Sequence, residues 1–175
     1  MIGLLRGTVL LEPHSIQWEE NAKETIEILK KLFGDKATDI QHVGSTAVIG
    51  LKAKPIIDIA VGVQCFKDVF DLIPLLEEND FIYRDIFKDE KGNENHLLFC
   101  CGDFDNNIRT HHIHIVIHND NEWNNYIKFR DTLNENIDIR KQYEDLKVKL
   151  SKEFGSDREK YTAMKADFIH KILYN

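Results

Sequence analysis

Cysteine is scarce in this sequence, and none of it stands in a disulfide-forming or metal-binding pattern. The three cysteines are Cys65, Cys100 and Cys101, and no Cys-x-x-Cys pair occurs. An odd number of cysteines, two of them adjacent, argues against a disulfide framework and against a zinc site. We therefore expect three reduced thiols that are buried as small apolar side chains.

Long hydrophobic runs are also missing. No apolar stretch approaches the roughly 20 residues that a membrane-spanning helix needs. Residues 1–6 lack the apolar centre of a signal peptide. We expect a cytoplasmic chain that has no membrane partner.

Positive charge is in the minority. Lys and Arg total 23 against 30 for Asp and Glu, which gives a net charge of −7. General nucleic-acid binding is not expected of such a chain, because it depends on a strongly basic surface. The length of 175 residues suits one domain that buries a sizeable core without disulfides.

The order of the predicted elements differs from the regular strand–helix alternation of a doubly wound sheet. A helix is predicted between Ser15 and Gly34, because apolar residues recur there at helical spacing. Strands are predicted at residues 38–43, 56–63, 81–87, 96–101 and 110–117. The chain from 119 to 175 has helical spacing, with polar connections at 133–139 and 154–157. The predicted fold class is α+β in a single domain of residues 1–175, with the sheet within about 1–118 and helices within about 119–175.

One apolar strand contains a single carboxylate, and this is the most informative feature of the sequence. Asp58 is the only charged residue in 56–63, and burying an unpaired carboxylate is costly. Strand periodicity places Asp58 on the face opposite to the purely apolar side chains. The Asp58 face is therefore expected to be the functional one.

Two histidines share one face of the last predicted strand. His112 and His114 are two residues apart, whereas His111 points to the core side and is interpreted as structural. If this strand neighbours the Asp58 strand, the carboxylate and both imidazoles converge on one metal ion or one phosphate, and such a set suits a divalent transition metal. The alternative is that His112 and His114 only line a hydrogen-bonded polar face.

A possible phosphate site precedes the Asp58 strand. Gly44, Ser45 and Thr46 form a turn whose backbone N–H groups and hydroxyls are suited to a phosphate. Lys54 in the following loop and Arg109 at the entry of the histidine strand are candidates to offset its charge. A lone Gly-Ser pair is a weak signal, and an ordinary tight turn with solvated lysines is the alternative.

The helical third contains charged residues at regular places. We expect most of them to face solvent or to pair at the surface. Arg130 and Lys165 lie close to the apolar stripe, so for these two a position in a ligand pocket stays open. The other charged residues of this set are Asp131, Lys147 and Arg158.

The whole chain resembles the GrpB-like family of the nucleotidyltransferase-fold, or polymerase-β-like, superfamily. The matching segments are Leu10-x-Glu12-Pro13-x-x-x-x-Trp18, the stretch from His42 to Asp58, Arg109-Thr110-His111-His112-Ile113-His114, Trp123, Phe129-Arg130-Asp131, Tyr143-x-x-Leu146-Lys147 and Arg158-x-x-Tyr161-x-x-x-Lys165-x-x-Phe168. The resemblance implies a nucleotidyltransferase-like mixed β-sheet with flanking helices. It also implies that Gly44 and Ser45 bind phosphate and that Asp58 is a metal carboxylate.

The departures from the superfamily pattern leave three functions open. Ala60 stands where the second metal carboxylate is expected, and His112 and His114 stand where a later strand would offer an acid. One hypothesis is nucleotidyl or phosphoryl transfer to a small acceptor, with Asp58, His112 and His114 as catalytic residues and metal ligands for Mg²⁺, Mn²⁺ or a transition metal. The others are a non-catalytic module that binds a nucleotide or phosphorylated metabolite, and a metal-binding protein.

Overall fold

A computed structural model describes residues 1–89 and 91–174 of the chain. It contains seven strands, seven α-helices and two short 3₁₀ turns within these ranges. The strands are β1 (Leu4–Leu5), β2 (Ala37–Val43), β3 (Ile57–Val63), β4 (Ile82–Lys88), β5 (Glu94–Cys101), β6 (Ile108–Arg109) and β7 (His111–Ile117). The helices are α1 (Ile16–Phe33), α2 (Lys67–Phe70), α3 (Ile73–Glu78), α4 (Asn121–Glu135), α5 (Ile137–Glu153), α6 (Arg158–Ala163) and α7 (Ala166–Tyr174).

The central sheet has five strands in the order β2-β3-β7-β5-β4. Strands β3 and β7 are parallel, and the other neighbours are antiparallel. A parallel pair needs a long crossover connection, which here runs through α2, α3 and the β4–β5 hairpin. The sheet is therefore mixed, and the prediction of an α+β fold with a mixed sheet is confirmed. Strands β1 and β6 form a separate two-stranded sheet.

The two faces of β3 have different neighbours. Ile57, Ile59 and Val61 point into the main core, which also contains Trp18 and Leu29 of α1. Helix α1 begins at Ser15, whose hydroxyl accepts a hydrogen bond from the N–H of Gln17, and it ends before Gly34, as its spacing predicted. The opposite face of β3 is covered in part by α4 and is left open around Asp58.

Helix α4 covers the far end of that second face. Trp123 packs there on Val43, Ala60 and Val116, and Ala60 is fully buried. Helices α5 and α7 continue the layer, since Tyr143 and Phe168 pack with Val48 and Leu51 from the segment after β2. The helical third thus closes over the Gly44 turn.

Three local predictions are wrong. The segment 133–139 is not a polar connection, because α4 continues to Glu135 and α5 starts at Ile137. Asn136 alone separates the two helices, and its side-chain oxygen accepts a hydrogen bond from the N–H of Ile139. Cys65 is exposed in the loop after β3 rather than buried, whereas Cys100 is buried. Lys147 does not face solvent, because only 1% of its surface is exposed.

None of the helices within the described ranges combines the length and the apolar character that crossing a membrane requires.

Candidate functional site

The carboxylate of Asp58 lies between two imidazole rings. Asp58 is opposite His112 in the parallel β3–β7 register, and Ala60 is opposite His114. Because alternate residues of a strand share a face, all three polar side chains project to the same side of the sheet. Asp58 Oδ1 lies 3.1 Å from His112 Nδ1 and 3.3 Å from His114 Nε2. The structure therefore brings together the three residues that strand periodicity placed on one face.

The two imidazoles keep Asp58 ionised. Burial would raise the pKa of this carboxyl, but hydrogen bonds from His112 and His114 outweigh burial and hold the pKa well below its usual range. An ionised carboxylate only accepts hydrogen bonds, so both facing ring nitrogens act as donors in these contacts. Burial lowers the pKa of His112 despite the neighbouring carboxylate.

A third histidine extends this cluster. His96 Nε2 on β5 lies 2.9 Å from His114 Nδ1. His96 also stacks on Phe87 and neighbours Tyr126, which fixes the ring between two strands and α4. Sequence reasoning placed His96 in a strand but gave it no role, because the pairing register of β5 with β7 cannot be read from the chain.

The donor set fits one transition-metal ion better than a pair of Mg²⁺ ions. Asp58, His112 and His114 each offer one ligand atom, and these atoms lie within 4.8 Å of one another. Two imidazoles and one carboxylate suit Mn²⁺, Fe²⁺ or Zn²⁺, whereas Mg²⁺ prefers oxygen ligands. Ala60 stands where the resemblance led us to expect a second carboxylate, and it is fully buried under Trp123.

The Gly44–Ser45 turn lies directly against Asp58. Gly44 has φ 69° and ψ −167°, a backbone conformation that essentially only glycine adopts. Ser45–Ala47 then form a single turn of 3₁₀ helix, and Gly44 and Ser45 line the same cavity as Asp58. Thr46 does not reach this cavity. It is buried, and its Oγ1 lies 3.0 Å from His42 Nε2.

Four cationic side chains surround Asp58. They line a cavity of about 330 Å³ that also contains Tyr126 and Tyr161, and we call it the Asp58 cavity. The four cations are Lys54, Lys147, Arg158 and Lys165. Asp58 is the only carboxylate among the lining residues that the structure describes, so the positive charge of the cavity exceeds its negative charge.

The lysines of the Asp58 cavity are held close together and partly away from water. Burial, followed by repulsion from Arg158 and Lys165, lowers the pKa of Lys54 to about 7. Burial lowers the pKa of Lys165 to about 8, although Asp58 opposes the change. Burial also lowers the pKa of Lys147 well below its ordinary value, and its Nζ donates a hydrogen bond to the carbonyl of Lys52. A bound anion would favour the charged form of each of these groups.

The sequence predicted two of these four cations for a ligand site, with Lys54 as a phosphate-binding residue and Lys165 as a candidate for a pocket. Lys147 and Arg158 were grouped with the charged residues that were mostly expected at the surface. Arg130 points elsewhere, because its guanidinium contacts Asp131, Gln41 and the carbonyl of His42. The local spacing of charges in α5, α6 and α7 contains no signal for which of them meet at the sheet.

Arg109 lies in a neighbouring cleft and not in the Asp58 cavity. This second cleft has a volume of about 400 Å³ and shares His112 and Arg158 with the Asp58 cavity. A third, more apolar cleft of about 430 Å³ also reaches Asp58 and is lined by Tyr126, Phe129 and Tyr143. Glu122 lines this third cleft, and burial raises the pKa of its carboxyl.

Comparison with known proteins decides the family. The family model described as "GrpB protein" matches residues 8–175. The chain belongs to the GrpB family. It is 38% identical over 175 residues to the glutamate-rich protein GrpB of Alkalihalophilus pseudofirmus, covering 99% of this chain and 98% of that one. The crystal structure of the conserved protein GrpB from Enterococcus faecalis is 32% identical, covers 94% of both chains and superposes with a TM-score of 0.82.

A more distant structure identifies the fold of this GrpB-family chain. The Cid1 poly(U) polymerase, in the structure with bound MgGTP, superposes with a TM-score of 0.53 at 13% identity. The match covers 80% of this chain and 44% of that one. At this identity the likeness concerns the fold alone. The predictions of a GrpB-family chain and of a nucleotidyltransferase-like fold are confirmed.

The roles of individual residues in this GrpB-family chain stay predictions. Of the proposed phosphate-binding residues, Gly44, Ser45 and Lys54 line the Asp58 cavity, whereas Thr46 and Arg109 do not. The proposed catalytic and metal-binding residues Asp58, His112 and His114 all line it.

Proposed function

We propose that this protein binds a nucleotide or another phosphorylated small molecule in the Asp58 cavity and transfers a nucleotidyl or phosphoryl group from it to a small acceptor. The observation that carries the proposal is the set of four basic side chains that line one cavity with a single carboxylate, beside a Gly-Ser turn. Phosphates are the multiply charged groups that such a turn and such cations bind in proteins. The nucleotidyltransferase-like fold agrees with this assignment.

The clefts suggest how a nucleotide would lie. Its phosphates would occupy the Asp58 cavity, with Lys54, Arg158 and Lys165 offsetting their charge. Its organic part would extend into the third cleft, where Phe129 and Tyr143 provide apolar surface. Tyr126 lines both spaces and connects them.

Asp58, His112 and His114 would hold one divalent metal ion, with Mn²⁺ or another transition metal fitting better than Mg²⁺. When bound there, such an ion would polarise a phosphoryl oxygen as a Lewis acid. His96 would fix the orientation of His114, because a metal-ligating histidine normally donates its other ring N–H to a neighbour.

In the transfer, the acceptor hydroxyl oxygen forms a bond to phosphorus while the bond from phosphorus to the leaving pyrophosphate or nucleoside diphosphate breaks. The hydroxyl proton passes to solvent water. The lysines and Arg158 offset the negative charge on the transferred and leaving groups, and the Gly44–Ser45 turn orients the phosphate chain. Catalysis of this kind depends mainly on positioning and electrostatic stabilisation.

A second candidate function is a non-catalytic module that binds the same ligands. Ala60 favours it, because two-metal phosphoryl transfer needs a second carboxylate and the site offers none at this position. The binding site would be the same in both cases, and only turnover separates them.

The test is titration calorimetry of the full chain with ATP, GTP and coenzyme A precursors, with and without Mg²⁺ or Mn²⁺. We expect binding that weakens by about tenfold or more in Lys165→Met, since a charge-assisted contact of about 1.5 to 3 kcal/mol is lost. Lys171→Met on the exposed side of α7 is the matched control and should bind as the original chain does. If none of these ligands bound under any metal condition, both the transfer function and the non-catalytic binding function would be contradicted. Binding without turnover across an acceptor panel would select the non-catalytic module.

A further inference from the structure

Four arginines converge on the cleft beside the Asp58 cavity. We call this space the arginine cleft. Arg6, Arg84, Arg109 and Arg158 line it together with Phe87, Leu98 and Cys100. Arg6 follows β1, and the other three lie on β4, β6 and α6, so only the tertiary structure brings them together.

These guanidinium groups lack acidic partners in the described part of the chain. None of the ion pairs found there, at up to 4.0 Å, involves any of the four arginines. Asp85 also lines the cleft, but its Oδ1 accepts a hydrogen bond from the N–H of Ile86. Arg109 donates to the carbonyl of Ile108, and Arg158 approaches His112 Nε2 at 3.5 Å. Most of their N–H donors therefore stay available to a ligand.

Two of the arginines are held in place by one aromatic ring. The guanidinium carbons of Arg84 and Arg109 each lie 4.3 Å from the centre of the Phe104 ring. Such cation–π contacts orient planar guanidinium groups. Arg109 is only 8% exposed, and burial together with repulsion from Arg84, Arg6 and Arg158 lowers its pKa from the ordinary value. Arg84 and Arg109 therefore lie against the same ring, although Arg84 is exposed and Arg109 is buried.

The arginine cleft and the Asp58 cavity share a wall. His112 and Arg158 line both of them. A ligand in each space would therefore meet the other across these two side chains, next to Asp58. This is the arrangement that a transfer between two bound molecules requires.

We propose that the arginine cleft binds the acceptor, and that the acceptor carries a multiply charged oxyanion, either a phosphate or a group of carboxylates. Arginine forks bind both groups through paired hydrogen bonds. The volume of about 400 Å³ suits a small molecule. This assignment rests on the proposed transfer function, because it names the second substrate of that reaction.

The test follows the Nε–Hε signals of the arginines by ¹⁵N NMR while inorganic pyrophosphate or tricarballylate is added to the full chain. We expect the Arg84 and Arg109 signals to shift in a saturable way with at least one of the two anions. A response to pyrophosphate alone assigns a phosphate-bearing acceptor, and a response to tricarballylate alone assigns a polycarboxylate. No shift of these signals with either anion would overturn the proposal.

Substitutions separate this proposal from the one on which it rests. Arg84→Gln, at an exposed position, should weaken the binding of the effective anion by about tenfold or more, and Arg6→Gln provides a second exposed variant. Arg140 lies outside the arginine cleft and the Asp58 cavity, so Arg140→Gln should leave the binding of that anion unchanged. If the Arg84 and Arg6 variants bind that anion normally while Lys165→Met loses nucleotide binding, the acceptor assignment fails and the proposed function stands. If no nucleotide binds but the arginine signals shift, the proposed function fails and the cleft remains an anion site.

Discussion

Gly44 and Asp58 pack against each other with no space for a side chain between them. A Cβ placed on Gly44 would lie 2.6 Å from Asp58 Oδ2 and 3.0 Å from Asp58 Cβ. The turn that is suited to phosphate and the carboxylate that is suited to metal are therefore one rigid unit. Its geometry depends on glycine at position 44 for both space and backbone conformation.

We predict that Gly44→Ala destabilises the protein and impairs anion binding together. The added methyl group would clash with Asp58, and alanine rarely adopts the backbone conformation of Gly44. We expect the free energy of unfolding to fall by about 1 to 3 kcal/mol from backbone strain and by a similar amount from overpacking. Gly50→Ala is the matched control, since Gly50 also has positive φ but nothing within 4 Å. Urea denaturation and sulfate titration of both variants measure the effect. If Gly44→Ala and Gly50→Ala lost equal amounts of stability and of sulfate affinity, the Gly44–Asp58 contact would have no special role.

We predict opposite effects of Asp58→Asn on anions and on metal ions. Removing the negative charge should tighten sulfate binding by roughly 1 kcal/mol, or about fivefold, because a repulsive neighbour is lost. The same change should weaken Mn²⁺ binding by more than about 100-fold. Loss of a residue that only hydrogen-bonds to a metal ligand already lowers metal affinity by about 10- to 100-fold, and Asp58 would be a ligand itself. Calorimetry with sulfate and Mn²⁺ electron spin resonance measure the two effects. Asp145→Asn, at an exposed position on α5, is the control. Unchanged Mn²⁺ binding in Asp58→Asn would show that Asp58 is not a metal ligand.

We predict that Ala60→Asp does not rebuild a two-metal site. Ala60 is fully buried against Trp123, so a carboxylate there would lose its hydration. The expected cost is several kcal/mol of unfolding free energy. Ala60→Val adds similar bulk without charge and should cost less. The prediction would be wrong if the Ala60→Asp protein were stable and bound a second metal ion, because Trp123 would then have to move away from residue 60.

We predict that sulfate binding weakens as the pH rises from about 6 to about 9. The pKa values of about 7 for Lys54 and about 8 for Lys165 mean that both ammonium groups lose their charge across this range. A bound dianion favours the charged forms of the lysines, so the protein takes up protons when sulfate binds. For each proton taken up, the affinity for sulfate falls by as much as tenfold per unit of rising pH. Calorimetry in buffers of different ionisation enthalpy measures the uptake directly.

A matched variant tests the source of this pH dependence. Lys54 faces Arg158, Lys165 and Asp58, and Lys54→Arg keeps a charge at that position throughout the range. The decline of sulfate binding with pH should therefore flatten in Lys54→Arg. A decline of the same steepness would assign the effect to groups other than Lys54.

The local pattern of the chain predicted the sheet and which side chains share a face of it. Alternation of side chains separated Asp58 from Ile57 and Ile59, and it grouped His112 with His114, because the period of a strand is fixed by its backbone. The end of α1 at Gly34 was equally readable. The break at Asn136 was predicted too long, as a connection over 133–139, because one capping residue inside a polar stretch resembles a longer connection.

The family, the fold class and the identity of the Asp58 strand can be read from the amino-acid sequence, because they depend on motifs and on periodicity within short segments. The tertiary structure is needed to see that one cavity beside Asp58 is lined by Lys54, Lys147, Arg158 and Lys165, and that Arg109 belongs to a separate cleft. The same holds for His96, which reaches His114 through the pairing of β5 with β7. These residues are far apart along the chain, and their approach depends on how the helical third packs on the sheet, which no local pattern encodes.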